Sequence, residues 1–95
     1  MKIRHSAKAY RDLVEIRRFG LINFGRVTAD RNSTKLKRAV ARIGQYPEIA
    51  RQRHELDHGV RILPVGTHLI IYEIQNGVVV ILRFLHSSQN IVDHL

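Results

Sequence analysis

An α+β domain is what this sequence predicts: an N-terminal strand, an antiparallel helical hairpin, and a three-stranded antiparallel sheet on which the hairpin packs. Two observations carry that expectation. Up to about Gly44 the apolar residues recur at intervals of three and four, the period of an amphipathic helix. From Gly59 onward they run as short β-branched stretches separated by Pro-Val-Gly and Asn-Gly signals, the pattern of strands joined by tight turns. Helices first and strands afterwards make an α+β arrangement, not an alternating α/β one. With 95 residues the chain is expected to form one domain, with the hairpin over about 6–44 and the sheet over about 60–86.

"KIRH" predicts a short strand at the sheet edge, and Ser6 is a suitable N-cap for the helix after it. Ala9, Leu13, Ile16 and Gly20 make the buried stripe of that helix, with Lys8, Arg11, Asp12, Glu15 and Arg18 opposite. "FGLINFG" is expected to break the helix between Phe19 and Gly25. The second helix is expected over Val27 to Ile43. Its seam is Ala29, Leu36, Ala39, Val40 and Ile43, and its outer face is Arg31, Lys35, Lys37, Arg38 and Arg42. Gly44 reads as its stop, and Pro47 prevents continuation. Residues 45–59 read as irregular. "VRIL" then forms a strand closed by "PVGT", with Pro64 at the second position of a turn. "THLIIYEI" and "VVVILRFLH" flank Asn76-Gly77, a pair that tolerates the positive φ of a two-residue hairpin loop.

That loop sets an expected register in which Gln75 faces Val78, Ile71 faces Leu82 and Thr67 faces His86. One face of the hairpin then carries Leu69, Ile71, Glu73, Val78, Val80, Leu82, Phe84 and His86. The other carries His68, Ile70, Tyr72, Ile74, Val79, Ile81, Arg83 and Leu85. Both are mostly apolar, and two helices cover one of them. Monomers rarely expose large apolar patches. The second face therefore predicts a covering partner, against the alternative that residues 45–59 fold over it.

The formal charge is +8, and it is unevenly placed. Residues 1–42 hold twelve Lys/Arg against three acids; residues 43–95 hold four against five. A field of that kind attracts acidic partners, protein or nucleic acid, although a solvated helical face accounts for it equally well. There is no cysteine, which excludes disulfide and thiol chemistry. "MKIRHSAKAYRDL" has no apolar core of a signal peptide, and no run approaches the ~20 apolar residues of a membrane helix. A cytoplasmic protein without membrane contact or cofactor is expected.

The order of motifs in the strand half is more specific than any one of them. An acidic pair, Glu55 and Asp57, precedes Gly59, Arg61, Leu63, Pro64 and Gly66 in a G-x-R-x-L-P-x-G array. An aliphatic strand ending at Tyr72 follows, then a turn, a second aliphatic strand, Arg83, Leu85 and His86. In the front half stand "AYRDLVEI", "FG" at 24–25 and "RIGQYPEIA". Together these resemble the ParE toxins of bacterial toxin–antitoxin modules (plasmid stabilisation proteins), within the RelE/ParE superfamily. The chain departs from that pattern at Asn32, where an aromatic is usual, and in the uncharged "SSQN" after the last strand. The resemblance implies the strand, hairpin and three-stranded sheet. It implies an antitoxin, ParD-like, that neutralises the toxin by laying an arm over it. It implies DNA gyrase as target, with DNA engaged only through the antitoxin complex. RelE-like relatives instead cut messenger RNA in the ribosome.

A nuclease needs an acid, a base and cations at the scissile phosphate. Glu55 as base, His86 as acid, and Arg61 and Arg83 as clamp are the candidates. The strand half is poor in cations, however, with no lysine after Lys37, and His86 and Arg83 are three apart in an element of period two. A binding poison without catalytic residues is the preferred expectation. Its target contact would be the strand end and tail: His86, Ser87, Ser88, Gln89 and Asn90. The antitoxin would take Leu69, Ile71, Val80, Leu82 and Phe84 on the open sheet face. Its acidic arm would meet Arg31, Lys35 and Arg38, with Arg17 and Arg18 nearby. Direct nucleic-acid binding through the basic helices is a further alternative. His54 and His58, four apart, lack a third ligand, so no metal is expected. Tyr72 reads as a core residue whose hydroxyl finds a partner. Arg61 and Arg83 admit a structural role too, paired with Glu55, Asp57 or Glu73.

Overall fold

The computed structural model describes residues 1–56 and 59–95, so the expectations placed on Asp57 and His58 lie outside the described residues. Strand β1 (Lys2–His5) is followed by helices α1 (Ala7–Phe24) and α2 (Arg26–Gln45), then by β2 (Arg61–Val65), β3 (His68–Gln75) and β4 (Val78–His86). The sheet order is β1-β4-β3-β2. β2, β3 and β4 are antiparallel, and β1 joins β4 in parallel with Ile3 opposite Val79. This is the predicted α+β architecture, with the N-terminal strand completing the sheet on the β4 side.

Ser6 caps α1 through a bond from the Ala9 N–H, 3.0 Å long. The helix does not break at Phe19. It continues to Phe24, because Gly20 is placed where α2 crosses and an added Cβ would sit 3.3 Å from that of Ala29. The reversal is confined to Gly25, whose φ of +85° favours glycine. Gly44 is likewise not the stop of α2, which runs to Gln45. It is buried because β1 crosses it: a Cβ there would lie 2.6 Å from Ile3 Cδ1, and the Met1 ammonium donates to its carbonyl at 3.0 Å. Pro64 belongs to strand β2, not to a turn; the turn is Gly66-Thr67, and Val65 pairs with His68. An edge strand tolerates the missing N–H.

The Asn76-Gly77 turn forms as expected, with both residues at positive φ. The register holds from Gln75↔Val78 to Tyr72↔Ile81 and then slips by one. Ile71 pairs with Arg83 and His68 with His86, leaving Leu82 as an extra residue in a bulge. The slip moves Phe84 onto the helix-covered face. There it packs with Ile70, Tyr72, Val79 and Ile81 against Ala9, Leu36, Ala39 and Ile43.

The opposite face is covered by the chain itself, so the inference of a partner from that face is corrected. Val60, Ile71 and Leu85 are buried there with Leu56, Ile62, Leu69, Leu82 and Ile91 around them. Leu56 and Val60, from the chain ahead of β2, lie under the sheet. The C-terminus does not trail off as a tail. After an exposed turn it returns as a 3-10 helix, Ile91–His94, that places Ile91 on the same cluster. On the helix-covered face, by contrast, the Tyr72 hydroxyl donates to the Pro47 carbonyl at 2.8 Å and accepts from the Ala50 N–H at 3.3 Å. No helix among the described residues is long and apolar enough to cross a membrane.

Candidate functional site

The four residues of the nuclease constellation are not brought together. Glu55 is exposed and bound by Arg53, with Arg51 at 3.7 Å, which holds its carboxyl below the usual range. The Arg61 guanidinium donates to the Ala50 carbonyl at 2.7 Å, so its use is structural. Arg83 makes a two-point ion pair with Asp12 of α1 at 2.8 and 2.9 Å and also donates to the His94 carbonyl at 3.0 Å. Neither arginine pairs with Glu55 or Glu73. The Asp12 carboxylate accepts in addition from the Phe84 N–H at 3.0 Å, which ties α1 to the strand just past the bulge. The bulge lies before Arg83, so it does not bring Arg83 and His86 to one side.

His86 instead pairs with His68 across the β3–β4 ladder, ring centroids 5.9 Å apart and nearly perpendicular. Burial, and secondarily the charge of His86, push the His68 imidazole below its ordinary range. The expected contact segment 86–90 is exposed and is a braced turn. The Ser87 N–H donates to the Thr67 carbonyl at 2.8 Å, and the His86 N–H donates to the Gln89 side chain at 2.8 Å. The Ser88 N–H donates to His86 Nδ1 at 3.1 Å.

This turn forms one bank of a groove of about 620 Å³. Thr67, His68, His86 and Gln89 stand on the sheet side. Asp12, Glu15 and Asn32 line it from the helices, and Ile16, Gly20, Phe19, Phe24 and Phe84 supply its apolar surface. Beyond it the hairpin tip is bare: Ile22 is 73% and Val27 71% exposed, and Phe19, Phe24 and Leu21 are also exposed. Sequence reading missed this surface by treating "FGLINFG" as a helix break; the signal was seven uncharged residues between basic flanks.

Of the apolar residues assigned to an antitoxin, Ile71 (0% exposed) and Val80 (3%) are buried inside this fold, and Leu69 and Leu82 are half-buried. Phe84 is buried on the helix side at the floor of the groove. The premise that chose them, an open sheet face, fails because Leu56, Val60 and Ile91 occupy it. Arg31, Lys35 and Arg38 line a separate groove with Arg42 against β2. Arg17 is engaged by Asp30 at 2.6 Å. Among the described residues, no cluster of three or more His, Asp or Glu is placed to hold a metal.

The family model for the ParE toxin of the type II toxin–antitoxin system, parDE, matches residues 3–91. The chain belongs to this ParE toxin family. A solved structure of the chromosomal ParDE toxin–antitoxin system from P. aeruginosa superposes with a TM-score of 0.79 at 20% identity, covering 90% of this chain and 95% of that one. At that identity the likeness concerns the ParE fold. No curated protein matches the sequence. As a ParE-family toxin the chain has a cognate antitoxin as its expected counterpart.

Proposed function

We propose that this ParE toxin acts by binding DNA gyrase, without catalysing a reaction of its own, and that a ParD-like antitoxin neutralises it by seating an amphipathic segment in the aromatic-lined groove. The observation that carries the reading is the commitment of the polar groups. Arg61 and Arg83 are spent on Ala50 and Asp12, and Glu55 lies on the surface with Arg53. An acid–base reaction needs these groups converged on one phosphate. What remains available is contact surface: the braced turn 86–90, the groove beside it and the bare hairpin tip. Aromatic side chains in a groove are suitable anchors for an apolar helix face.

Induced expression with and without the antitoxin tests this, followed by plasmid topology and messenger RNA integrity. Relaxed plasmid with whole messages is expected, reversed by the antitoxin. Phe24→Asp should leave the fold intact, since the side chain is exposed, and should weaken capture by the antitoxin at least tenfold. Cut messages with normal supercoiling would overturn the proposal. Capture of the Phe24→Asp variant at undiminished affinity would remove the groove from it.

A further inference from the structure

A second groove lies between α2 and the β2 edge, and its cations are unclaimed by the toxin's own fold. Arg31, Lys35, Arg38 and Arg42 follow one another at intervals of four, three and four, which places them in one stripe. None makes an ion pair with a described residue. Asp30, the acid that borders them, is turned to Arg17 at 2.6 Å and Arg26 at 3.8 Å. From Arg31 to Arg42 the stripe is about 16 Å long at 1.5 Å per residue. A nucleic-acid strand presents one phosphate per ~3.4 Å of duplex axis, about five over that length.

We infer that this row is a seat for the sugar–phosphate backbone of duplex DNA, so that the toxin touches DNA directly and not only through its antitoxin. Three observations select this occupant. The sequence pI of about 10.9 and the clustering of cations along one helix are the electrostatic footprint of a nucleic-acid binder. No aromatic residue lines the groove, which removes the stacking platform that single strands use. Three of the four cations are arginines, whose planar fork suits phosphate. An acidic protein arm is the other polyanion that charge admits. Its apolar anchors would find their aromatic pocket in the first groove, whereas here the wall is the strand rim Leu63, Pro64 and Val65. The contact reads no bases, so it is independent of sequence.

The inference stands apart from the gyrase reading, because duplex binding and loss of supercoiling are measured separately. The test is fluorescence anisotropy of a labelled 20-base-pair mixed-sequence duplex with the full-length toxin between 50 and 200 mM salt. Four phosphate contacts give a log–log slope of about −3.6, at about 0.9 per contact. The Arg31→Gln/Arg38→Gln/Arg42→Gln variant should fall to about −0.9. The matching Lys variant should keep the wild-type slope. Arg4→Gln/Lys8→Gln/Arg11→Gln removes the same charge from other exposed sites and should keep it too. The proposal is overturned if that control lowers the slope as much, if the duplex does not bind at 50 mM salt, or if labelled poly-glutamate binds and the duplex cannot displace it.

Discussion

Arg83 and Asp12 are 71 positions apart and close a two-point ion pair that also takes the Phe84 N–H. Both side chains are largely buried, at 17% and 15% exposure, and the pair holds the Arg83 guanidinium above its usual pKa. Asp12→Ala would leave Arg83 and the Phe84 N–H without their partner, at a cost of about 3 kcal/mol, readable as a lower urea midpoint. An unchanged midpoint would contradict the structural role. No pattern in the sequence reveals this pair, because Asp12 sits among the polar residues of an ordinary amphipathic helix. His68 gives a second residue-scale prediction. Its folded pKa is below the ordinary 6.5, so the folded chain takes up a proton less readily than the unfolded one. Stability on this account is full above the unfolded value and declines as pH falls below it. His68→Gln should flatten that decline between about pH 7 and 5. His5, lowered by its own burial, would keep the remainder. A slope identical to wild type would sink the assignment.

Elements were legible where their residues act locally. The Ser6 cap, the stripes of α1 and α2, and the Asn76-Gly77 turn follow from period and turn chemistry alone. Most of the misreadings involve contacts or register that no local pattern marks. Gly44 read as a stop, yet it lets Ile3 approach, as Gly20 in the stripe of α1 lets Ala29 approach. The bulge at Leu82 has no signal of its own, and one slipped residue was enough to put Phe84 on the wrong face. Gly25 is the place where a helical glycine reading and the backbone agree: Gly25→Ala should cost about 1–2 kcal/mol, since φ of +85° strains any L side chain. Thermal unfolding checks it, and an equal midpoint would contradict it. The C-terminal segment separates two roles that sequence reading merged. Removing residues 91–95 should uncover Ile71, Leu82 and Leu85, lower stability and bind a hydrophobic dye. Ser88→Ala with Gln89→Ala should leave stability within about 0.5 kcal/mol and reduce toxicity. Equal stability on truncation would show that Ile91 covers nothing of consequence.

At the scale of the molecule, the ordered motifs in the strand half announced the ParE architecture, and the charge asymmetry announced a basic helical side. The site was less legible. Its groove is built by the hairpin tip, the β2–β3 turn and the end of β4, which are far apart in sequence and converge only through the fold. On the proposed reading, function lies in contact surfaces, while Arg61 and Arg83 serve the structure. It is tested most directly with purified toxin, wild type and His86→Gln, in a gyrase supercoiling reaction run beside ribosomes carrying messenger RNA. Loss of supercoiling by both proteins, with messages intact, is the result predicted. Cleaved messages with normal supercoiling, and a loss of cleavage of ~10²-fold or more in His86→Gln, would contradict it.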